Sequence, residues 1–236
     1  MAKQEKLIQD IKAIAAEHGV PIIGFGKASD IADVKRYGPD SFDFPTLISM
    51  SDQLPLDAIK EARTKPSIDL RESYKVVNRK LMGTCNAILE RLAEDGYKGY
   101  VIHPANRPDA ENLRGFVSLK AAARVCGLGW IGKNGLLVTK EFGPRQRSIT
   151  IFTDMPWDGE VEMQECQCGD CRACIENCAL KVLKDQPPFK YHPPSRDVTF
   201  DWEKCGKYEA RLVGDGSKPE KACGRCIAHC PLSYPE

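Results

Sequence analysis

Cys168-Gly-Asp-Cys171-Arg-Ala-Cys174-Ile-Glu-Asn-Cys178 and, further on, Cys223-Gly-Arg-Cys226-Ile-Ala-His-Cys230-Pro231 decide how this 236-residue chain is read. The first stretch has the C-x2-C-x2-C-x3-C spacing with which a short peptide grips a cubane iron–sulfur cluster. Three thiolates two residues apart fit a tightly curled loop whose amides can face the cluster sulfides. In two-cluster proteins the fourth thiolate ligates the other cluster, and the same rule is applied here. It demands a partner run, which the second stretch supplies with its terminal Cys-Pro. By crossover, Cys168, Cys171, Cys174 and Cys230 would hold one cluster. Cys178, Cys223 and Cys226 would hold the other and lack one ligand. The usual place for it, three residues before Cys223, is Glu220. Cys205, in Trp202-Glu-Lys-Cys-Gly, is the best substitute, returned to the site by a loop. The fourth cysteine of the first run is expected to start a helix.

Cysteine is the anomaly of an otherwise ordinary composition. Of 11 cysteines only Cys85 and Cys126 precede residue 160, and with eight assigned as ligands Cys166 is the third spare. A zinc ribbon could use the pairs 168/171 and 223/226, but it needs four ligands and would leave four well-spaced cysteines idle. Disulfides suit an exported chain, whereas Met1-Ala-Lys-Gln-Glu-Lys has neither an apolar core nor a twin arginine. The chain is therefore expected in the cytoplasm. A net charge of +1 speaks against nucleic acid and an anionic membrane as partners, and no apolar run has the length of a membrane span.

Working outward, residues 5–18 place Leu7, Ile8, Ile11 and Ile14 at helical spacing with Gly19 as the stop. Val20–Phe25 reads as a strand, 27–70 as irregular, and 73–94 as a helix with Val77, Leu81, Cys85, Ile88 and Leu92 on one face. Strands follow at 99–103, 136–139 and 149–152, with a helix at 116–126. This α+β mixture points to an α/β core over residues 1–160 and a cluster domain over 161–236, where periodicity fades.

Gly127-Leu-Gly129-Trp-Ile-Gly132-Lys133-Asn134 matches the dinucleotide fingerprint as a string. That fingerprint needs a strand before it and a helix after it, and here the order is reversed. The loop is read instead as a turn where backbone meets another cofactor, with Lys133 and Asn134 as polar contacts. Arg145 and Arg147 could grip a carboxylate or phosphate. The competing reading is a bare turn and solvated arginines. The four histidines show no zinc spacing, His229 falls between cluster cysteines, and no catalytic residue is assigned.

From Leu119-Lys-Ala-Ala-Ala-Arg-Val-Cys-Gly-Leu-Gly-Trp-Ile-Gly-Lys-Asn-Gly-Leu-Leu-Val-Thr139 through Phe142-Gly-Pro-Arg-Gln-Arg147, Thr153-Asp-Met-Pro156 and both cysteine runs, the chain resembles the epoxyqueuosine reductases and reductive dehalogenases. The likeness covers about residues 73–236, and it brings a lone cysteine, here Cys205, to the second cluster. It implies a nitroreductase-like core fused to a ferredoxin-like domain with two [4Fe–4S] clusters. Electrons would pass from a soluble donor such as ferredoxin or flavodoxin to a cobalamin, with FMN ranked behind it, or to a small-molecule substrate. A homodimer is among the assemblies considered. Departures are Ala179 in place of the proline usual after the first run, the lack of the reductases' extra C-terminal helical domain, and Leu113 where epoxyqueuosine reductases keep an acidic proton donor. Asp109 and Glu111 lie out of register. The other function class weighed is a ferredoxin-type electron carrier that docks a partner redox protein.

Overall fold

The computed structural model describes residues 2–31, 44–102, 109, 111, 115, 117–187 and 189–234; Leu113 lies outside them. In chain order the elements are α1 (Ala2–Glu17), β1 (Ile22–Lys27), a 3-10 turn (Ala28–Asp30), β2 (Thr46–Gln53), α2 (Leu56–Glu61), α3 (Ile68–Glu94) and β3 (Gly99–Val101). They continue with α4 (Leu119–Val125), β4 (Trp130–Ile131), β5 (Leu137–Val138), β6 (Gln146–Thr153), α5 (Ala173–Glu176), α6 (Arg196–Thr199), α7 (Trp202–Val213), α8 (Arg225–Ala228) and a 3-10 turn (Pro231–Ser233). The fold is mixed α+β. A four-stranded sheet runs β1-β2-β6-β3, with β1 antiparallel to β2 and β3 antiparallel to β6, and β4–β5 form a separate antiparallel pair.

Two compact units interleave along the sequence. One comprises Met1–Asp52, Asn78–Leu128 and Ser148–Met163; the other comprises Gln53–Val77, Gly129–Arg147 and Gln164–Glu236. The second unit thus takes in two segments that precede residue 160.

In the first unit, Leu7, Ile11 and Ala15 of α1 and Leu81, Cys85, Ile88 and Leu92 of α3 are buried, which is the apolar stripe the helical period foretells. Gly19 and Gly96, at φ +65° and +83°, end these helices in a left-handed conformation that favours glycine. Arg91 joins the two helices at the surface, 2.9 Å from Asp10 and 3.0 Å from Asp95. Gly24 in β1 lets the end of α4 approach: a Cβ there would stand 2.2 Å from the Cys126 carbonyl oxygen.

Residues 27–70, expected to be irregular, hold β2 and α2. Leu47, Ile48, Ser49, Met50 and Ser51 are all fully buried, so β2 is covered on both faces and cannot show the alternation of a half-exposed strand. Its hydroxyls are paired internally: Ser49 lies 3.1 Å from Thr150, Ser51 lies 2.8 Å from Ser148, and Thr46 donates to the Met155 carbonyl at 2.6 Å. These serines and threonine made a buried strand look like a loop.

In the second unit, α3 begins at Ile68 rather than 73, because the Ser67 hydroxyl accepts from the Leu70 amide at 3.1 Å and caps the helix. Beyond residue 160, where periodicity fades, α7 is a 12-residue helix capped by the Asp201 carboxylate, which accepts from the Lys204 amide at 2.9 Å. Cys205 is therefore carried on a helix, not on a returning loop.

Candidate metal centre

Both cysteine runs curl in the same manner. Gly169, at φ +47°, turns the chain after Cys168, and the Cys171 amide donates to the Cys168 carbonyl at 2.9 Å. The single-turn α5 follows, buries Ile175 and ends before Cys178, whose amide reaches the Ile175 carbonyl at 3.3 Å. Cys178 thus follows a helix, where the sequence suggested that it would start one. In the second run Gly224, at φ +60°, precedes α8, Ile227 is buried, and the Cys230 amide donates to the Ile227 carbonyl at 3.1 Å. Pro231 then opens a 3-10 turn, in which its missing amide hydrogen is no loss. Helices α5 and α8 pack against each other, which draws the two runs into one region of the second unit.

The sulfurs sort into two sets by the neighbours whose charge each one feels. Burial pushes the Cys230 thiol up to about 12, and Cys168, Cys174 and Cys171 raise it further. Burial takes Cys174 to about 11, with Cys168 and Cys171 adding to the effect. Burial likewise takes Cys205 to about 11, and its cysteine neighbours are Cys223 and Cys178. Cys226 is raised by burial and then by Cys223, Cys205, Cys174 and Cys178. Cys230 and Cys174 thus neighbour Cys168 and Cys171, Cys205 neighbours Cys223 and Cys178, and Cys226 neighbours Cys223, Cys205, Cys174 and Cys178. Buried thiols that crowd one another resist ionisation until a cation takes their charge. That donor chemistry fits an iron–sulfur core. Among the described residues no three His, Cys, Asp or Glu side chains converge on a single metal ion. A zinc ion would gather its sulfurs within about 4 Å of one another at Zn–S ~2.3 Å, whereas a cubane takes one thiolate at each of four irons.

Cys168 departs from its set, for its thiol is held below the ordinary value. The neighbouring Cys166 thiol contributes most against burial, followed by the Lys133 amide, the Trp130 indole and the Lys133 ammonium. The Cys166 sulfur also accepts from the Cys168 amide at 3.5 Å. Glu220, the alternative to Cys205, is engaged elsewhere, 2.8 Å from Arg71 and 3.2 Å from Lys75. Glu209 of α7 accepts from the Cys223 amide at 3.1 Å, a contact that no sequence signal announced. His229 pairs with the Arg63 carbonyl at 3.1 Å.

The glycine string divides its duties. Gly127, at φ +78°, closes α4: the Leu128 amide reaches the Ala123 carbonyl at 3.0 Å and the Gly127 amide that of Arg124 at 2.9 Å. At Gly129 a Cβ would lie 2.0 Å from the Val138 carbonyl oxygen, so that glycine serves the β4–β5 pair. Gly132 lies against the metal centre, where a Cβ would come 3.5 Å from the Cys168 sulfur. Lys133 is buried and donates to the Cys171 carbonyl at 3.3 Å, while Asn134 accepts from the Leu136 amide within the turn. Arg145 is buried too. Its Nε donates to the Ser233 carbonyl at 2.9 Å, and its Nη1 donates to Gln53 Oε1 at 3.1 Å and to the Leu54 carbonyl. Arg147 stacks over the Tyr74 ring at 5.0 Å. The residues expected to share one cofactor thus divide between framework turns and the surroundings of Cys168. Cys85 and Cys126 are buried in the first unit.

The first unit carries two open cavities of about 390 and 490 Å³. Lys27 and Trp157 line both, Thr46 and Pro156 the smaller, Arg124 and Asp30 the larger. Sequence reasoning missed them, because their walls come from distant segments joined only by the fold.

No family model matches the chain. An epoxyqueuosine reductase of Pseudomonas aeruginosa is 30% identical over 162 residues, 68% of this chain and 41% of that protein. A tetrachloroethene reductive dehalogenase of Sulfurospirillum multivorans is 28% identical over 146 residues, 58% of this chain and 26% of that protein. The chain thus spans less than half the length of these relatives. Among solved structures, a reductive dehalogenase described for B12-dependent dehalogenation superposes with a TM-score of 0.75 at 19% identity, over 96% of this chain and 32% of that one. An epoxyqueuosine reductase bound to an epoxyqueuosine-modified tRNA-Tyr stem loop gives a TM-score of 0.62 at 16% identity, over 98% and 65%. The likeness read from the sequence holds, and this chain is a relative of both groups. No described helix is long and apolar enough to cross a membrane.

Proposed function

We propose that this relative of the epoxyqueuosine reductases and reductive dehalogenases is an iron–sulfur oxidoreductase, with a nitroreductase-like core and a ferredoxin-like cysteine domain. Cys168, Cys171, Cys174 and Cys230 would hold one [4Fe–4S] cluster, and Cys178, Cys205, Cys223 and Cys226 the other; when bound, they supply one-electron transfer. The observation that supports this reading is that the eight cysteines, half-buried apart from the exposed Cys171, have neighbours among themselves that follow the crossover spacing. The protein's own part is to hold those sulfurs half-buried, apart from the exposed Cys171, and within reach of one another. Gly169 and Gly224 curl the peptide so that sulfurs two residues apart face one centre.

Electrons would come from a soluble ferredoxin or flavodoxin and pass to a cofactor or small substrate. Cobalamin is the organic cofactor to test, since a structural relative is described with B12-dependent chemistry. Gly127, Gly129 and Arg145 are committed to turns and inner hydrogen bonds, and they line neither described cavity. No step is therefore routed through a corrinoid or FMN. The balanced charge that spoke against nucleic acid loses its force, because a relative of this fold was solved with a tRNA stem loop. A nucleoside in RNA therefore joins the candidate substrates.

Anaerobic purification tests the reading. About eight irons and eight sulfides per chain are expected for two cubanes, together with a broad visible absorption that dithionite bleaches. Zinc without iron would refute it.

A further inference from the structure

We infer that the surface formed by residues 62–67 and the second cysteine run is the docking face for an acidic electron-carrier protein. The inference rests on the iron–sulfur reading above and gives its soluble donor a place on the molecule. Contacts within the second unit lay the 62–67 turn along the run. Ser67 and Ala222 exchange amide–carbonyl hydrogen bonds at 2.9 Å, and a Cβ at Gly224 would stand 3.3 Å from the Ala62 Cβ. His229 Nε2 pairs with the Arg63 carbonyl at 3.1 Å, and Arg225 Nη1 donates to that of Thr64 at 3.4 Å. The Arg63 guanidinium covers the Tyr234 ring at 5.7 Å, and the Tyr234 hydroxyl donates to the Ala228 carbonyl at 2.7 Å. The turn's cations are thus fixed at the rim of the peptide that carries Cys223, Cys226 and Cys230.

Charge sets this face apart. The whole chain is nearly neutral, at +1. Residues 56–68 and 221–234 hold Lys60, Arg63, Lys65, Lys221 and Arg225 against Asp57 and Glu61. Both carboxylates are engaged, Asp57 by Lys60 and Glu61 by Lys65, each at 3.1 Å. Among the described residues Arg63, Lys221 and Arg225 form no ion pair with a carboxylate, and Arg63 and Lys221 are exposed. Unneutralised cations beside half-buried Cys223 and Cys226 favour an anionic partner and speed its encounter. Ile68 and Leu232, each 39% exposed, belong to the same two segments and offer apolar contact. Few charges and little apolar area suit the brief, weak association of electron-transfer partners. A nucleic acid typically asks for more, about 6–10 phosphate contacts. In the encounter the carrier loses one electron and is oxidised. The iron–sulfur centre read on Cys223 and Cys226 gains it and is reduced, and no bond or proton is exchanged.

Calorimetric titration of the anaerobic holoprotein with reduced flavodoxin and with a plant-type [2Fe–2S] ferredoxin, two acidic carriers, tests this across a salt series. At least one should bind, with an affinity that falls as salt rises. The double reversal Arg63→Glu/Lys221→Glu should weaken that binding about tenfold and slow reduction by the carrier in stopped flow, with about eight irons still bound. The matched reversal Lys6→Glu/Lys12→Glu, on the exposed side of α1 in the first unit, should leave affinity unaltered. If the first variant loses its iron, Arg63→Gln/Lys221→Gln decides, with about a threefold weakening expected. Wild-type affinity in the variant that keeps its iron, an equal loss in the α1 pair, no binding by either carrier, or binding of an RNA stem loop alone would overturn the inference and leave the two-cluster reading standing. A wild type without iron–sulfur clusters would overturn both.

Discussion

Gly224→Ala offers a test in which structure fixes both sign and size. The residue sits between Cys223 and Cys226 at φ +60°, a region that costs a residue with a side chain about 1–2 kcal/mol. A Cβ there would also stand 2.2 Å from Leu70 Cδ2 and 3.3 Å from the Ala62 Cβ. A leucine tip can often swing away, but Leu70 is fully buried. Overpacking of that kind adds about 1–3 kcal/mol, for a total loss of roughly 2–5 kcal/mol. The strain falls on the peptide that spaces two sulfurs, so iron should fall from about eight toward four per chain. Denaturant unfolding of the anaerobically loaded protein gives the first quantity, and colorimetric iron the second. Gly83→Ala is the control. That glycine lies within α3 with nothing inside 4 Å of its would-be Cβ, and the change should stabilise by about 0.5–1 kcal/mol. A Gly224→Ala protein within 0.5 kcal/mol of wild type (on the order of measurement error) and fully loaded with iron would refute the reasoning.

Three further outcomes are expected. Cys205→Ala should lose one cluster and retain the other, read as a halved iron content with one remaining resonance signal; two intact clusters would remove that ligand from the set. Arg145→Met should destabilise by roughly 2–4 kcal/mol, because the Ser233 and Leu54 carbonyls lose a buried donor, and a neutral result would place the arginine at a ligand site instead. Cys85, buried with its thiol pushed up to about 12, should resist iodoacetamide at pH 8 in the native protein and react only after unfolding; mass spectrometry of the labelled peptides decides this.

What the sequence disclosed depended on the range of the forces involved. The curl of each cysteine run is local, set by spacing and by Gly169 and Gly224, so the curl itself could be anticipated from the chain alone. The stripes of α1 and α3 were legible because one face meets water. β2 was hidden because neither face does, and because Ser49 and Ser51 are satisfied by partners about a hundred residues away, Thr150 and Ser148. α7 was obscured by its short length and its polar outer face, although Asp201 and Gly214 mark its two ends. Lys133 was singled out as a polar contact of a cofactor; its buried ammonium donates to the Cys171 carbonyl, a partner that no local pattern names.

The interleaving of the two units governs how the protein can be made. Ser67 and Ala222 exchange hydrogen bonds at 2.9 Å in both directions, yet they are about 155 residues apart. At roughly 5–20 residues per second of synthesis, the early partner waits some 8–30 s for the late one. The last sulfur, Cys230, leaves the ribosome later still. Iron delivery must therefore follow translation of nearly all of this sequence. A fragment cut at residue 160 would lack Leu54, Ser67 and Leu70, which help to close the sulfur-rich unit, and it should precipitate rather than behave as a miniature electron carrier.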